Sequence, residues 1–244
     1  MKPFMTGGNG VRYLTRKNIE QISERVLRAY WKLPDALLEP QRVVPDVLLE
    51  SLLGLTISFR HLSIDRCTLG LTCFHEIGIE IYDDPSEDFF MMDGKSVLIE
   101  TDLNEPYASV GRRNFTVMHE GCHHILHMLF PFDCDYGMSA RRVLKYRMTG
   151  YKRSSMDVAE WQTDTLASFL LMPTSLLRKN MNECGIPNGI PILNPLWRSD
   201  DYQRFVALSR KMGVSKQALA IRLKQMKLIG EDYTANPYSM LDID

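Results

Sequence analysis

The chain has 244 residues, 45% of them hydrophobic, and its 29 Lys and Arg nearly balance 30 Asp and Glu to leave a formal charge of −1. That is enough apolar material for a full core, and it predicts one compact body with a small appendage. No apolar run approaches the roughly 18 residues needed to span a bilayer, and the start, Met1-Lys-Pro-Phe-Met-Thr-Gly-Gly, has no signal-like apolar stretch, so a cytoplasmic protein without a membrane partner is expected. The five cysteines (67, 73, 122, 134 and 184) are odd in number and lack C-x-x-C spacing, which argues against a disulfide framework or a zinc knuckle.

In chain order, Thr15 can cap a helix running to about Tyr30, with Ile19, Ile22, Val26 and Leu27 as its apolar stripe. A second helix follows Pro45 and ends at Gly54, and Leu55-Thr-Ile-Ser-Phe opens a run of strands. Ile77 to Tyr82 reads as another strand. Phe89 to Met92 and Lys95 to Glu100 read as a hairpin about an Asp93-Gly94 turn. A small twisted, mostly antiparallel sheet within an α+β fold is the expected result. The segment Lys95 to Thr101 is the candidate edge strand for pairing with an extended peptide, unless it lies in the sheet interior.

The next element carries the chemistry. In His119-Glu120-Gly121-Cys122-His123 the two histidines are four residues apart, so on a helix they face one way and can chelate one metal ion. The glutamate between them then stands beside the metal, where it can take a proton from a bound water. Val117, Met118, Ile125, Leu126, Met128 and Leu129 make this helix largely apolar. His123 and His127 share the same spacing, but eight residues advance about 12 Å, so His119 and His127 cannot share one ion. Only the first pair has a glutamate after its leading histidine, which favours 119 and 123. His124 and His127 read as packing or cleft-wall residues, and Cys122 as core.

A catalytic zinc takes three protein ligands and keeps one position open. Position 129 is Leu129, which excludes a third histidine six residues after the second. Glu160 and Asp164 share a face of a helix closed by Pro173, with Ser154, Ser155 or Asp157 as its cap. Glu160 could bind the metal while Asp164 accepts the other ring N–H of a ligating histidine. The pair could equally be a solvated acidic stripe.

The run Arg113-Asn-Phe-Thr-Val-Met-His119-Glu120, followed by Glu160-Trp-Gln-Thr-Asp164 and Phe169-Leu-Leu-Met-Pro173, resembles the ImmA/IrrE family of bacterial metallo-endopeptidases over roughly residues 40 to 228. The resemblance implies a zincin-like peptidase core over 1–195, then a helix-turn-helix-like segment with a C-terminal tail over 196–244. It also implies Zn²⁺ held by His119, His123 and Glu160, with Glu120 as general base. The implied substrate is a helix-turn-helix transcriptional repressor of mobile-element or stress genes. Met118, Thr163 and Leu166 depart from the family pattern in ways expected to affect packing more than chemistry, and the stretch between His124 and Glu160 is longer than usual.

That stretch includes Arg141 to Arg153, with six basic residues and no acidic one, read as a loop over the cleft whose Tyr146 or Tyr151 could reach an oxyanion. From Asp201 to Gly230 the pattern is helix, turn, helix, with Ser215 capping the second helix. Lys216, Arg222, Lys224 and Lys227 on it are candidate phosphate contacts, although direct DNA binding is the weaker reading beside docking of a protein. Two other readings stand beside the peptidase: a non-catalytic zinc-containing regulator that binds DNA or a repressor, and a zinc hydrolase of small molecules.

Overall fold

The computed structural model describes residues 12–84, 87–131, 143–147 and 155–241. The predicted caps at Ser154, Ser155 and Asp157, the side chains of Tyr146 and Tyr151, and most of the basic stretch 141–153 lie outside the described residues or side chains.

Helix α1 (Arg16–Tyr30) begins as its sequence dictates: the Thr15 hydroxyl accepts from the Asn18 N–H, while the Asn18 side chain accepts from the Thr15 N–H at 3.0 Å. Ile19, Leu27 and Tyr30 are buried, with Ile22 and Val26 packed on the same core. Helix α2 (Pro45–Val47) runs on through a π-helical turn (Leu48–Leu52) and stops at Gly54, whose φ of 67° is open to glycine at no steric cost.

The strands are β1 (Thr56–Arg60), β2 (Thr68–Cys73), β3 (Glu76–Asp84), β4 (Glu87–Asp93), β5 (Ser96–Glu100), β6 (Val143–Arg147), β7 (Ile190–Leu193) and β8 (Ile229–Asp232). They form a four-stranded sheet in the order β1-β5-β2-β6, a β3-β4 ribbon and a parallel β7-β8 pair. Within the large sheet β1 runs parallel to β5, whereas β2 is antiparallel to both β5 and β6. The fold is therefore mixed α and β.

The Asp93-Gly94 hairpin expected between residues 89–92 and 95–100 does not form. Strand β4 returns along β3, and β5 crosses into the other sheet. Burial explains the split. All five residues of β5 are buried, as a strand covered on both faces requires, whereas β4 leaves Phe89 and Met91 exposed. The Asp93 carboxylate accepts instead from the Lys95 N–H at 2.8 Å and the Ser96 hydroxyl at 2.9 Å, which turns the chain between the sheets. The segment Lys95 to Thr101 is accordingly no edge. The outer strands are β1 and β6, and β6 arises within the stretch expected to be a basic loop.

Helix α3 (Val110–Leu129) runs through the centre, its residues from Thr116 to Leu126 all buried. It packs against β2, β5 and helix α4 (Ser155–Leu171). Helix α5 (Thr174–Glu183) follows Pro173, and α6 (Ser199–Met212) and α7 (Lys216–Gln225) form the expected helical pair. Gly213 ends α6 in the left-handed conformation (φ 65°), and the Ser215 hydroxyl caps α7 by accepting from the Ala218 N–H at 3.1 Å. Phe205, Leu208, Met212, Leu219 and Leu223 of the pair belong to the same apolar cluster as Val117 and Met118 of α3.

Two contacts bind the pair to the start of α3. Asn114 donates from Nδ2 to the Gly213 carbonyl at 2.9 Å, and Gly111 lies against the backbone of Val214 and Ser215. A Cβ on Gly111 would sit 2.2 Å from the Ser215 nitrogen, and neither helix can yield without breaking its cap. Gly111→Ala is therefore expected to cost about 1–3 kcal/mol by overpacking. A lowered urea midpoint with an unchanged slope checks it, and an unshifted midpoint refutes the close approach.

Candidate metal centre

Four neighbours of the 119–123 motif decide its geometry. Helix α3 places the His119 and His123 rings on one face with their Nε2 atoms 3.0 Å apart. Helix α4 supplies Glu160, whose Oε2 is 3.2 Å from His119 Nε2 and whose Oε1 is 3.6 Å from His123 Nε2. These three side chains offer one ligand atom each, all within 4.8 Å of one another, a group able to hold a metal ion. Both histidines are buried, and Glu160 is 29% exposed, so the cluster opens toward solvent on its carboxylate side.

The opposite edges of the two rings show which nitrogen is offered to the ion. Asp164 Oδ1 lies 2.9 Å from His119 Nδ1, in the role its spacing from Glu160 suggested. Thr163 Oγ1 lies 3.2 Å from His123 Nδ1 and donates its own hydrogen to the Ala159 carbonyl at 3.0 Å. With that hydrogen committed, the hydroxyl can only accept from the histidine. Both Nδ1 atoms thus carry hydrogen, and both Nε2 lone pairs face Glu160. Two lone pairs at 3.0 Å repel unless a proton or a cation stands between them. The donor set therefore fits a cation, and ligand-backing hydrogen bonds of this kind orient metal-binding histidines generally.

Thr163 thus corrects its reading from sequence, where its departure from alanine was taken as a matter of packing. The usable signal was spacing: 160, 163 and 164 are i, i+3 and i+4 on one helical face. Met118 and Leu166 are fully buried and make only packing contacts, as expected.

Glu120 is fully buried, and neither of its carboxylate oxygens finds a hydrogen-bond partner among the described residues. It lies against Gly70 of β2, where a Cβ would stand 2.4 Å from Oε1. A glycine inside a strand commonly marks such a close approach, and β2 had not been anticipated from sequence. On the next turn face, Gly121 admits Leu49 of the π-helical turn, whose Cδ1 would be 2.5 Å from an added Cβ. Cys122 is core.

Burial raises the Glu120 carboxyl to about 8, with the neighbouring Glu160 charge adding to it and His119 opposing. Burial would lower His119, but its hydrogen bonds to Asp164 and Glu160 outweigh that and raise it to about 9. Burial, with the charge of His119 beside it, pushes His123 well below the usual histidine range. In the metal-free protein His119 therefore takes up an extra proton far more readily than His123. His124 and His127 are not part of the centre. His124 Nε2 is 2.6 Å from the Thr72 hydroxyl, and the His127 ring stacks on Phe74 with centroids 3.9 Å apart.

Arg113 braces the helix from outside by a two-pronged bond to Asp46 of α2, at 2.9 and 2.6 Å. A second convergence, of His61, Glu100 and Asp102, is of another kind. Glu100 already accepts from the Leu62 N–H at 2.9 Å and meets His61 Nδ1 at 2.6 Å, and the Arg66 guanidinium at 3.5 Å supplies its positive charge. No helix among the described residues is long and apolar enough to cross a membrane. No family model matches the chain, and no curated protein matches it.

Two outcomes follow from this geometry. Thr163→Val keeps the shape but removes the acceptor for His123 Nδ1–H, so Zn²⁺ affinity measured against a competing chelator should fall about 10- to 100-fold, with Thr163→Ser restoring it. An unchanged affinity in Thr163→Val would dismiss the tautomer argument. The second concerns the metal-free protein. A histidine raised from 6.5 to about 9 contributes stability that is lost as pH rises through that window, and a carboxyl held protonated up to about 8 loses stability in the same direction. The urea midpoint of the metal-free chain should therefore fall between pH 6.5 and 9, and saturating Zn²⁺ should flatten the slope.

Proposed function

We propose that this chain is a zinc-dependent endopeptidase with a zincin-like core, in which His119, His123 and Glu160 hold the ion and Glu120 is the general base. The observation that carries the reading is the convergence of two Nε2 lone pairs and a half-open carboxylate beside a buried glutamate that has no hydrogen-bond partner among the described residues. Zinc bonds of about 2.0–2.1 Å in tetrahedral geometry separate neighbouring donors by about 3.3 Å. The separations of 3.0, 3.2 and 3.6 Å suit that ion. Two nitrogens and one oxygen from three residues are the donor set of hydrolytic rather than structural zinc, which closes its shell with four protein ligands.

Zinc bound there would lower the pKa of a water toward 7 and polarise a peptide carbonyl. The chain's own residues perform the remaining tasks. Asp164 and Thr163 hold the histidine rings in one tautomer and orientation. Glu120, next to His119 on the same helix, accepts a proton from the attacking water and returns it to the leaving nitrogen. Gly70 makes the room for that carboxylate, and its walls keep bulk water from competing for it.

The substrate class rests on the family resemblance of the 113–173 motifs: a helix-turn-helix repressor, cut where its chain can open locally. The alternative of a non-catalytic regulator that grips DNA through α7 is disfavoured by its side chains. Arg222, expected on the surface, is buried, with its guanidinium stacked over Phe169 and hydrogen-bonded to Thr174. Lys224 is tied to Asp232 at 2.7 Å.

The test is Glu120→Gln, which keeps the shape and removes the base. It should retain Zn²⁺ and the fold but lose at least about 10²- to 10⁴-fold in the rate of peptide cleavage, followed by intact mass with helix-turn-helix repressors as substrates. Equal turnover at matched metal content would sink the hydrolase reading. In His119→Ala, His123→Ala and Glu160→Ala, metal retention after dialysis should collapse, while His127→Ala keeps it.

A further inference from the structure

The helical pair and the first turn of α3 enclose a groove of about 900 Å³, at the other end of α3's first half from the metal-binding residues. Phe205, Val206 and Ala220 contribute apolar surface to its lining. Two large aliphatic side chains stand exposed in its lining, Val110 at 58% and Ile221 at 49%, one from each side. Around them the lining carries four cations, Arg42, Arg210, Lys216 and Lys224, and a single carboxylate, Asp232. Asp232 is occupied by Lys224, and Arg42 is paired with Glu39. Arg210 and Lys216 have no carboxylate partner among the described residues; Lys216 instead donates to the Tyr202 hydroxyl at 3.2 Å and lies over its ring.

We propose that this groove is a docking site for an acidic, amphipathic segment of a protein partner. Apolar side chains of the segment would cover Val110 and Ile221, and its carboxylates would meet Arg210 and Lys216. The volume falls in the range of formed ligand sites, and a lining that mixes exposed aliphatic side chains with cations lacking a carboxylate partner among the described residues suits an amphipathic acidic segment. The close fit of Gly111 on the Val214–Ser215 backbone and the Asn114 bond to Gly213 hold the walls in place, so little ordering remains to be done on binding.

A nucleic acid fits less well. The exposed face of α7 looks into a concavity and presents Ile221 and Ala220 beside Lys216, whereas a helix that reads DNA must protrude into a groove about 12 Å wide with cations along its flanks. Uncompensated cations beside exposed aliphatics favour a protein.

The experiment uses the full metal-loaded chain carrying Glu120→Gln, so that binding is read without cleavage and stands or falls separately from the peptidase proposal. The probe is a fluorescein-labelled peptide with Leu at helical i, i+3, i+4, i+7 spacing and Glu elsewhere, followed by anisotropy. It should bind saturably, more weakly at high salt, and Ile221→Ser, Arg210→Glu and Lys216→Glu should each weaken it at least about tenfold at unchanged melting temperature. Ile221→Ala, a truncation at a half-exposed site, replaces the serine variant if that one unfolds early. No saturable binding, equal binding of the same peptide with Lys for Glu, or insensitivity to all three variants overturns the proposal. A mixed-sequence DNA duplex that displaces the peptide, loses affinity in Lys216→Glu and ignores Ile221→Ser reassigns the surface to nucleic acid.

Discussion

The packing of α3 against α4 is the constraint from which the centre is built. One helix contributes two rings four residues apart, and the other contributes Glu160, Thr163 and Asp164 from a single face. Each ring is thereby held at Nδ1 by a group of the partner helix and turns its Nε2 toward Glu160. A rotation of α4 by one residue, about 100°, would carry all three groups away together. The precision comes from the apolar surfaces beneath: Leu166, Ala167 and Leu170 of α4 and Met118, Cys122 and Ile125 of α3 lie in one cluster with almost no exposure. Close packing of this kind allows few alternative registers.

The buried carboxylate of Glu120 works against that economy. An ionisable group enclosed without hydrogen bonds destabilises a fold, and a core chosen for stability alone would hold an apolar residue there. Its environment is nonetheless tailored, since Gly70 gives up a side chain where only a hydrogen fits. A destabilising group in a space cleared for it is the feature on which the proposed role of Glu120 rests.

The C-terminal helices serve the same helix at its other end. Asn114, Gly111 and the Arg113–Asp46 pair fasten the first turns of α3 to the α6–α7 turn and to α2. What sequence patterning presents as a helix-turn-helix appendage shares the core of α3, the helix that carries His119 and His123. Its basic residues divide accordingly: Arg222 is spent on Met172 and Thr174 within the fold, whereas Arg204, Arg210, Lys216, Lys224 and Lys227 are exposed.

Local information was legible wherever neighbours along the chain suffice. The Thr15 and Ser215 caps, the stop at Gly54, and the shared face of His119 and His123 all depend on residues close together in the chain, and each is present. The Asp93-Gly94 turn, the edge position of Lys95 to Thr101, the exposure of Arg222 and the idle reading of Thr163 were decided elsewhere. Each depends on what packs opposite. Strand β5 lies inside because both its faces are covered, Arg222 is buried because α4 and α5 bring carbonyl, hydroxyl and ring to it, and Thr163 matters because α3 sets a histidine within reach. Sequence periodicity reveals which face of an element is apolar, but it carries no record of the partner that face will meet, and hydrogen bonding, burial and pKa are properties of that meeting.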